Sequence, residues 1–394
     1  MTQKIFSSAL CRKKDGAEAV QAITSKVALD LKGHSCDLAL FFVSLGYDQD
    51  LRHLSQLFRE RVSPKFLIGC NASGVIGDTN EIEMGPAASV LAMHLPNAEV
   101  SSFSISESQL NTFQSGSDLV EYLDLYPTER PKFILLGDPM SVNVNKLLDL
   151  FNQGYQDAPV IGGLASGMVS GSANRLVLND EIYSNGAVGL ALTRDIEFEM
   201  IVSQGCRPIG EPFAITKAEQ NILYELRGKP AFHVLTAVLE KLSPEDQRLA
   251  QHSLFAGLVM DELRTDFKRG DFLIRNILGI DPTTGALAVG AMLETGQTVQ
   301  FQLRDASASE EDLKSFLTTG GRKPEHEGRS AGGVLVSCCG RGKGLFGVAD
   351  HDVRMIQSLR GPVPLTGFFA NGEFGPVDRK NYIHGYTSSL TLIR

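Results

Sequence analysis

Gly69-Cys70-Asn71-Ala72-Ser73-Gly74, Gly162-Gly163-Leu164-Ala165-Ser166-Gly167 and Gly367-Phe368-Phe369-Ala370-Asn371-Gly372 are three copies of one pattern, G-x-x-A-[S/N]-G. Working outward from each copy gives the same order of elements. An apolar, strand-like run comes first, at residues 37–44, 132–138 and 332–339. A helical stretch follows, near residues 50–62, 144–155 and 350–359, and a short apolar run leads into the motif. After the motif come a polar hairpin and a strand of small residues, at 87–95, 187–192 and 387–393. Such a unit reads as strand, helix, strand, strand, with period-2 patterning in the later strands. Repetition over so long a period is the mark of a duplicated fold.

The parallel strand–helix–strand half of each unit should cross over with right-handed sense, and the later strands should return as antiparallel hairpins. Residues 252–305 read as a β-meander with a turn at Asp281-Pro282-Thr283-Thr284-Gly285, and helices are expected over Gly16–Leu31 and 231–242. The polar stretch 306–330 reads as a helix plus an exposed loop. The expected fold class is therefore α/β, more fully mixed α+β. It consists of two domains built from repeated strand-helix-strand-strand units with mixed parallel and antiparallel sheets. The boundary is expected where Gly205-Cys206-Arg207-Pro208-Ile209-Gly210 breaks the pattern, giving domains 1–205 and 206–394.

The chain has 394 residues, 43% hydrophobic and 21% charged, with a formal net charge of −9. An acidic balance without a basic stripe gives no footprint for nucleic acid or an anionic membrane. No apolar run approaches the length of a membrane span, so no membrane insertion is expected. The first ten residues hold too short an apolar core for a secretory signal, which makes the cytoplasm the expected compartment. The 6 cysteines form no C-x-x-C pair, so neither a zinc site nor a disulfide framework is indicated.

Several chemical motifs fail on inspection. Gly342-Lys343-Gly344-Leu345-Phe346-Gly347 matches G-x-G-x-x-G, but the acid required after the next strand is missing from Pro362-Val363-Pro364-Leu365. The phosphate-loop pattern and H-E-x-x-H are absent, and the Ser73 and Ser166 motifs place their glycines at other spacings than a G-x-S-x-G elbow requires. No catalytic constellation emerges, which favours a binding protein over an enzyme.

The densest chemistry lies in the last sixty residues. Glycines there let backbone approach a ligand, while an Arg and a Glu within a wall of this kind need charged partners. The candidate ligand-binding residues are Cys339, Gly340, Arg341, Gly342, Phe368, Phe369, Asn371, Glu373, Tyr386 and Thr387. Arg341 offers a fork of donors to a carboxylate or phosphate, with Glu373 as its intramolecular alternative. Together the two would bracket an amino acid. Phe368 and Phe369 alternate faces, so one belongs to the core and the other to a pocket. Cys339 beside Arg341 is a candidate thiol nucleophile, the basis of an alternative reading as a thiol-dependent enzyme.

These same blocks resemble a known family. Ile68-Gly69-Cys70-Asn71-Ala72-Ser73-Gly74-Val75-Ile76-Gly77 resembles the N-terminal FIST domain signature. Ser337-Cys338-Cys339-Gly340-Arg341-Gly342, the stretch from Leu365 to Pro376, and His384-Gly385-Tyr386-Thr387 resemble the C-terminal FIST domain. The resemblance covers nearly the whole chain and implies a stand-alone bacterial sensory protein. Such a protein would bind a small ligand such as an amino acid and signal through a partner protein. It also offers a haem-based nitric-oxide sensor acting on a partner histidine kinase, with His384 as the candidate haem ligand.

Overall fold

Each repeat folds as its pattern predicts. In the computed structural model, which describes residues 3–47, 50–168, 173–264, 266–319 and 331–394, strands Leu38–Ser44, Lys132–Gly137 and Gly332–Cys338 open the repeats. They pair in parallel with Phe66–Ala72, Val160–Leu164 and Leu365–Ala370. The intervening helices are Leu51–Val62, Val144–Gly154 and His351–Arg360. On the other side of each opening strand lies an antiparallel neighbour, Ala88–His94, Ala187–Arg194 or Ser388–Ile393. A further strand completes each sheet: Ile5–Cys11, Ala98–Ile105 and Phe198–Ser203. The motif-centred pattern does not reveal these last three, because each precedes the repeated unit. The sheets are mixed, as expected.

The hairpin after each motif does not return to its own sheet. Val75–Gly77 and Asn80–Ile82 of the first repeat pair with Leu365–Ala370 of the third. Leu176–Leu178 and Glu181–Tyr183 of the second join Phe66–Ala72 of the first. Glu373–Val377 and Lys380–His384 of the third join Val160–Leu164 of the second. Each sheet is thus six-stranded and finished by a neighbour's hairpin, so the exchange runs in a closed ring. Strand edges that would otherwise stay open are covered this way.

Period-2 alternation explains how three sheets share one core. Leu40 and Phe42, Ile134 and Leu136, and Val334 and Val336 hold equivalent positions and point into a single central cluster. The alternate residues Ala39, Phe41 and Val43 face outward, where helices Gly16–Leu31 and Leu51–Val62 cover them. The first of these helices begins at Asp15, whose side chain accepts from the Glu18 N–H. Its buried residues Val20, Ile23, Val27 and Leu31 recur at helical spacing. Each large apolar side chain so buried contributes about 1.5–3 kcal/mol.

The chain forms two compact units. One comprises Met1–Val202, Lys314–Ile383 and Thr387–Arg394 and holds all three repeats; the other comprises Ser203–Leu313 and His384–Tyr386. In the second unit, Phe213–Glu219, Ile222–Leu226, Ala286–Val289, Phe272–Asp281, Leu254–Val259 and Thr298–Arg304 pair successively, and the last pairs back to the first. The expected meander is therefore four strands of a closed antiparallel barrel, filled by Leu223, Leu258, Leu287 and Phe301. Helix Ala231–Leu239 forms as expected. Helix Ala306–Thr319 covers the start of the polar stretch, and residues 320–330 of that expectation lie outside the described residues. No helix among the described residues is long and apolar enough to cross a membrane.

The first glycine of each motif has one physical reason to exist. A Cβ on Gly69, Gly162 or Gly367 would stand 1.7, 2.0 or 1.8 Å from the carbonyl oxygen of Phe41, Leu135 or Leu335, its parallel partner. Gly69→Ala and Gly367→Ala should each destabilise the fold by about 3 kcal/mol or more, since backbone must give way. Gly344→Ala, which meets open space, should be nearly neutral. Urea unfolding of the three variants checks this, and equal stabilities would refute the close-approach argument.

Candidate functional site

Carboxyl ends of parallel strands are where open α/β sheets leave room for ligands. Here the three parallel pairs bring those ends together, because the motifs that terminate them bond to one another. Ser73, Ser166 and Asn371 hold the same motif position. The Ser166 Oγ accepts from the Ser73 N–H at 2.9 Å, lies 3.3 Å from the Ser73 Oγ and donates to the Phe369 carbonyl. Asn371 donates from Nδ2 to the Ala165 carbonyl at 3.3 Å and from its N–H to the Leu164 carbonyl at 3.1 Å. Phe369 N–H reaches back to the Gly74 carbonyl at 3.0 Å. Cys339 closes the group, its Sγ 3.3 Å from the Ser73 Oγ and 3.8 Å from the Asn371 Oδ1. Cys339 and Asn371 are exposed, whereas Ser166 is buried beneath them.

Behind this surface lies a buried charge network. Glu373 is fully buried, and its Oε2 accepts from the Thr387 N–H at 3.2 Å and Oγ1 at 2.6 Å. Its Oε1 has no hydrogen-bond partner among the described residues. Burial pushes the Glu373 carboxyl up to about 8, against the Thr387 bonds and the Arg341 charge, which act the other way. Arg341 is also buried, at 1% exposure, and donates from Nε and Nη2 to Asp352 at 2.8 and 3.0 Å. Its guanidinium lies over Phe346, which stacks on His351 at 3.6 Å. Its Nη1 has no partner among the described residues.

The intramolecular partner of Arg341 is therefore Asp352 and not Glu373. Helix His351–Arg360 presents Asp352 in a bidentate arrangement that the strand bearing Glu373 does not match. Burial alone would raise Asp352, but Arg341 and His351 hold it well below the usual carboxylate range. A second carboxyl, Glu81 from the exchanged hairpin, caps the same helix by accepting from the Val353 N–H at 2.9 Å. Burial and then the Asp352 charge push Glu81 upward.

The remaining candidates fall in several places. Gly340 donates to the Cys338 Sγ at 3.4 Å, and Gly342, at φ +69°, leaves room for the Glu83 carboxylate, 2.7 Å from where its Cβ would stand. Phe368 and Phe369 are both buried, so the expected division into one core and one pocket ring does not hold; Phe368 packs on Phe42 at 4.8 Å. Thr387 serves Glu373. Tyr386 and His384 are grouped with the second unit, where Tyr386 packs on Phe255 at 4.3 Å and beneath Arg304 at 4.7 Å. His384 is buried, at 2% exposure. Burial pushes the Cys339 thiol up, with hydrogen bonds from Ser73 and Ser166 opposing, and Arg341 is spent on Asp352. That is the reverse of an activated thiolate.

Ser73, Ser166, Asp352 and Glu81 were not among the residues picked from sequence. The first two could have been found by superposing the three motifs, since they align with Asn371. Asp352 and Glu81 carry no local signal, because their partners lie across the tertiary fold.

A FIST N domain matches residues 37–229, and a FIST C domain matches residues 231–376. The chain is similar to Uncharacterized protein Rv0628c of Mycobacterium tuberculosis (strain ATCC 25618 / H37Rv), with 38% identity over 364 residues and 92% of each chain covered. It is similar to Uncharacterized protein Mb0898c of Mycobacterium bovis, with 34% identity over 384 residues and 97% of each chain covered.

The raised Glu373 carboxyl makes a signed prediction. An unfolded carboxyl of this type titrates near 4.5, so between that value and about 8 the folded chain holds a proton the unfolded chain has released. The stability this contributes is complete below pH 4.5 and is lost as pH rises through about 8, at up to about 1.4 kcal/mol per pH unit. Urea midpoints of the wild type and Glu373→Gln, measured from pH 5 to 8.5, should diverge in that direction. A constant difference across the range would show that Glu373 titrates normally.

Proposed function

This chain belongs to the FIST family, and we propose that it senses a small, amino-acid-like metabolite and passes the signal to a partner protein. FIST domains are associated with signal transduction and small-ligand sensing. The observation that carries the finer reading is the pair of orphaned atoms behind the motif junction. Glu373 Oε1 is a buried acceptor and Arg341 Nη1 a buried donor, neither with a partner among the described residues. Leaving such groups unmatched is costly, and a ligand that supplies both partners recovers that cost. An ammonium suits Glu373, which gives up its proton to pair with it, and a carboxylate suits Arg341, which together describe a zwitterion.

The surface above supplies the rest. Cys339 and Asn371 form the exposed lip, Ser73 and Ser166 offer hydroxyls beneath it, and Gly340 adds no side chain to the approach. Thr387 holds Glu373 in place, and Phe368 and Phe369 pack below. Ligand entry displaces the Cys339 and Asn371 side chains. The Arg341–Asp352 pair connects the site to helix His351–Arg360, so occupancy has a path to the surface of that helix.

A thermal-shift screen of the amino acids, with matched amines and carboxylic acids, tests the reading. A zwitterion should raise the melting temperature, since a ligand at a hundred times its Kd adds about 2.7 kcal/mol of stability. Glu373→Gln should weaken its binding about 10- to 100-fold, the worth of one charge-assisted hydrogen bond. A folded Glu373→Gln protein that binds the ligand as well as the wild type would remove this site.

A further inference from the structure

A second place in the three-repeat unit has the character of a binding site, at the opposite ends of the same strands. A cleft of about 460 Å³ lies at the amino ends of Lys132–Gly137 and Val160–Leu164, within the range usual for small-molecule sites. Its walls include Pro127, Pro131 and Pro159, whose rings hold the backbone in one shape without a bound molecule. Tyr155 adds an aromatic wall and is itself held by donation from its hydroxyl to the Leu125 carbonyl at 2.9 Å. The cleft is thus preformed, with apolar and polar residues sharing its wall.

Two cations line it. Arg130 is exposed, in the left-handed region at φ 52°, and its guanidinium makes no hydrogen bond or ion pair among the described residues. Lys132 is half-buried, and among the described residues its ammonium donates to the Arg130 carbonyl alone, at 3.3 Å. Burial lowers its pKa, although the charge of Glu197 opposes this, so an added anion would relieve a desolvated cation. Asp157 also lines the cleft and lies 3.6 Å from Arg379, while the nearby Glu129 carboxylate accepts from the Tyr126 N–H at 3.1 Å.

We propose that this cleft binds a small organic oxyanion, a carboxylate or phosphate monoester carried on an apolar body. Arg130 and Lys132 hold the oxyanion, and the proline and tyrosine walls take the body. The site is separate from the motif junction and does not depend on the sensing role assigned there.

Binding of benzoate, phenyl phosphate and inorganic phosphate to the full chain, followed by NMR chemical-shift titration or calorimetry, decides the matter. Benzoate or phenyl phosphate should bind saturably and more tightly than inorganic phosphate, and neutral benzyl alcohol should not bind. Arg130→Gln, at an exposed position that leaves the fold alone, should weaken binding about tenfold or more, the worth of one charge-assisted contact. Adding Lys132→Gln should abolish it, while Glu373→Gln should leave it unchanged. Preference for benzoate or for phenyl phosphate distinguishes the two oxyanions. The proposal is overturned if none of the three probes saturates, if Arg130→Gln binds like the wild type, or if Glu373→Gln removes the binding.

Discussion

Three backbone-to-backbone contacts at Gly69, Gly162 and Gly367 hold the rest of the repeat unit in place. At each, a parallel partner's carbonyl occupies the space a side chain would need. The same glycines pair with the hairpin lent by the neighbouring repeat: Gly69 with Val177, Gly162 with Phe374, and Gly367 with Ile76. Tight intra-repeat packing and inter-repeat exchange therefore meet at one residue per repeat. Because the exchange is cyclic, no repeat can complete its sheet alone, and the core fed by all three forms together with them.

Near-symmetry builds the junction, and departure from symmetry gives it chemistry. The backbone bonds Ser44 N to Ala87 O, Asp138 N to Gly186 O and Cys338 N to Thr387 O are equivalent, each 2.9 Å. Yet Glu373 stands where the first repeat has Val75 and the second Met168. A charge placed once in a threefold frame makes one site and not three. The third repeat also alone carries a Gly-Arg-Gly after its opening strand, and the charge of its Arg341 acts on that carboxyl.

Arg341 illustrates how a buried charge can be tolerated. Asp352 accepts two of its hydrogen bonds, Phe346 lies against its plane, and Glu81 adds its field. Breaking such a pair leaves an uncompensated charge and costs about 3–5 kcal/mol, which ties the site's integrity to the helix bearing Asp352. Among the described residues Glu373 is held more loosely, by Thr387, and its second oxygen has no hydrogen-bond partner there. The contrast assigns the Arg–Asp pair to structure and leaves Glu373 the more responsive group.

The repeat, the order of its strands and helices and the glycines at its motifs were legible in the sequence, because local periodicity and the need for a missing Cβ leave marks residue by residue. The last block, with Cys339, Arg341, Asn371 and Glu373, stood out for the same reason. Partner choice did not. That the hairpins cross to neighbouring sheets, that the meander closes into a barrel, that Arg341 chooses Asp352 over Glu373, and that both Phe368 and Phe369 are core all depend on contacts between segments remote in the chain. Strand pairing and ion pairing are satisfied equally well by many partners at the level of residue type, and only the packing of the whole chain selects among them.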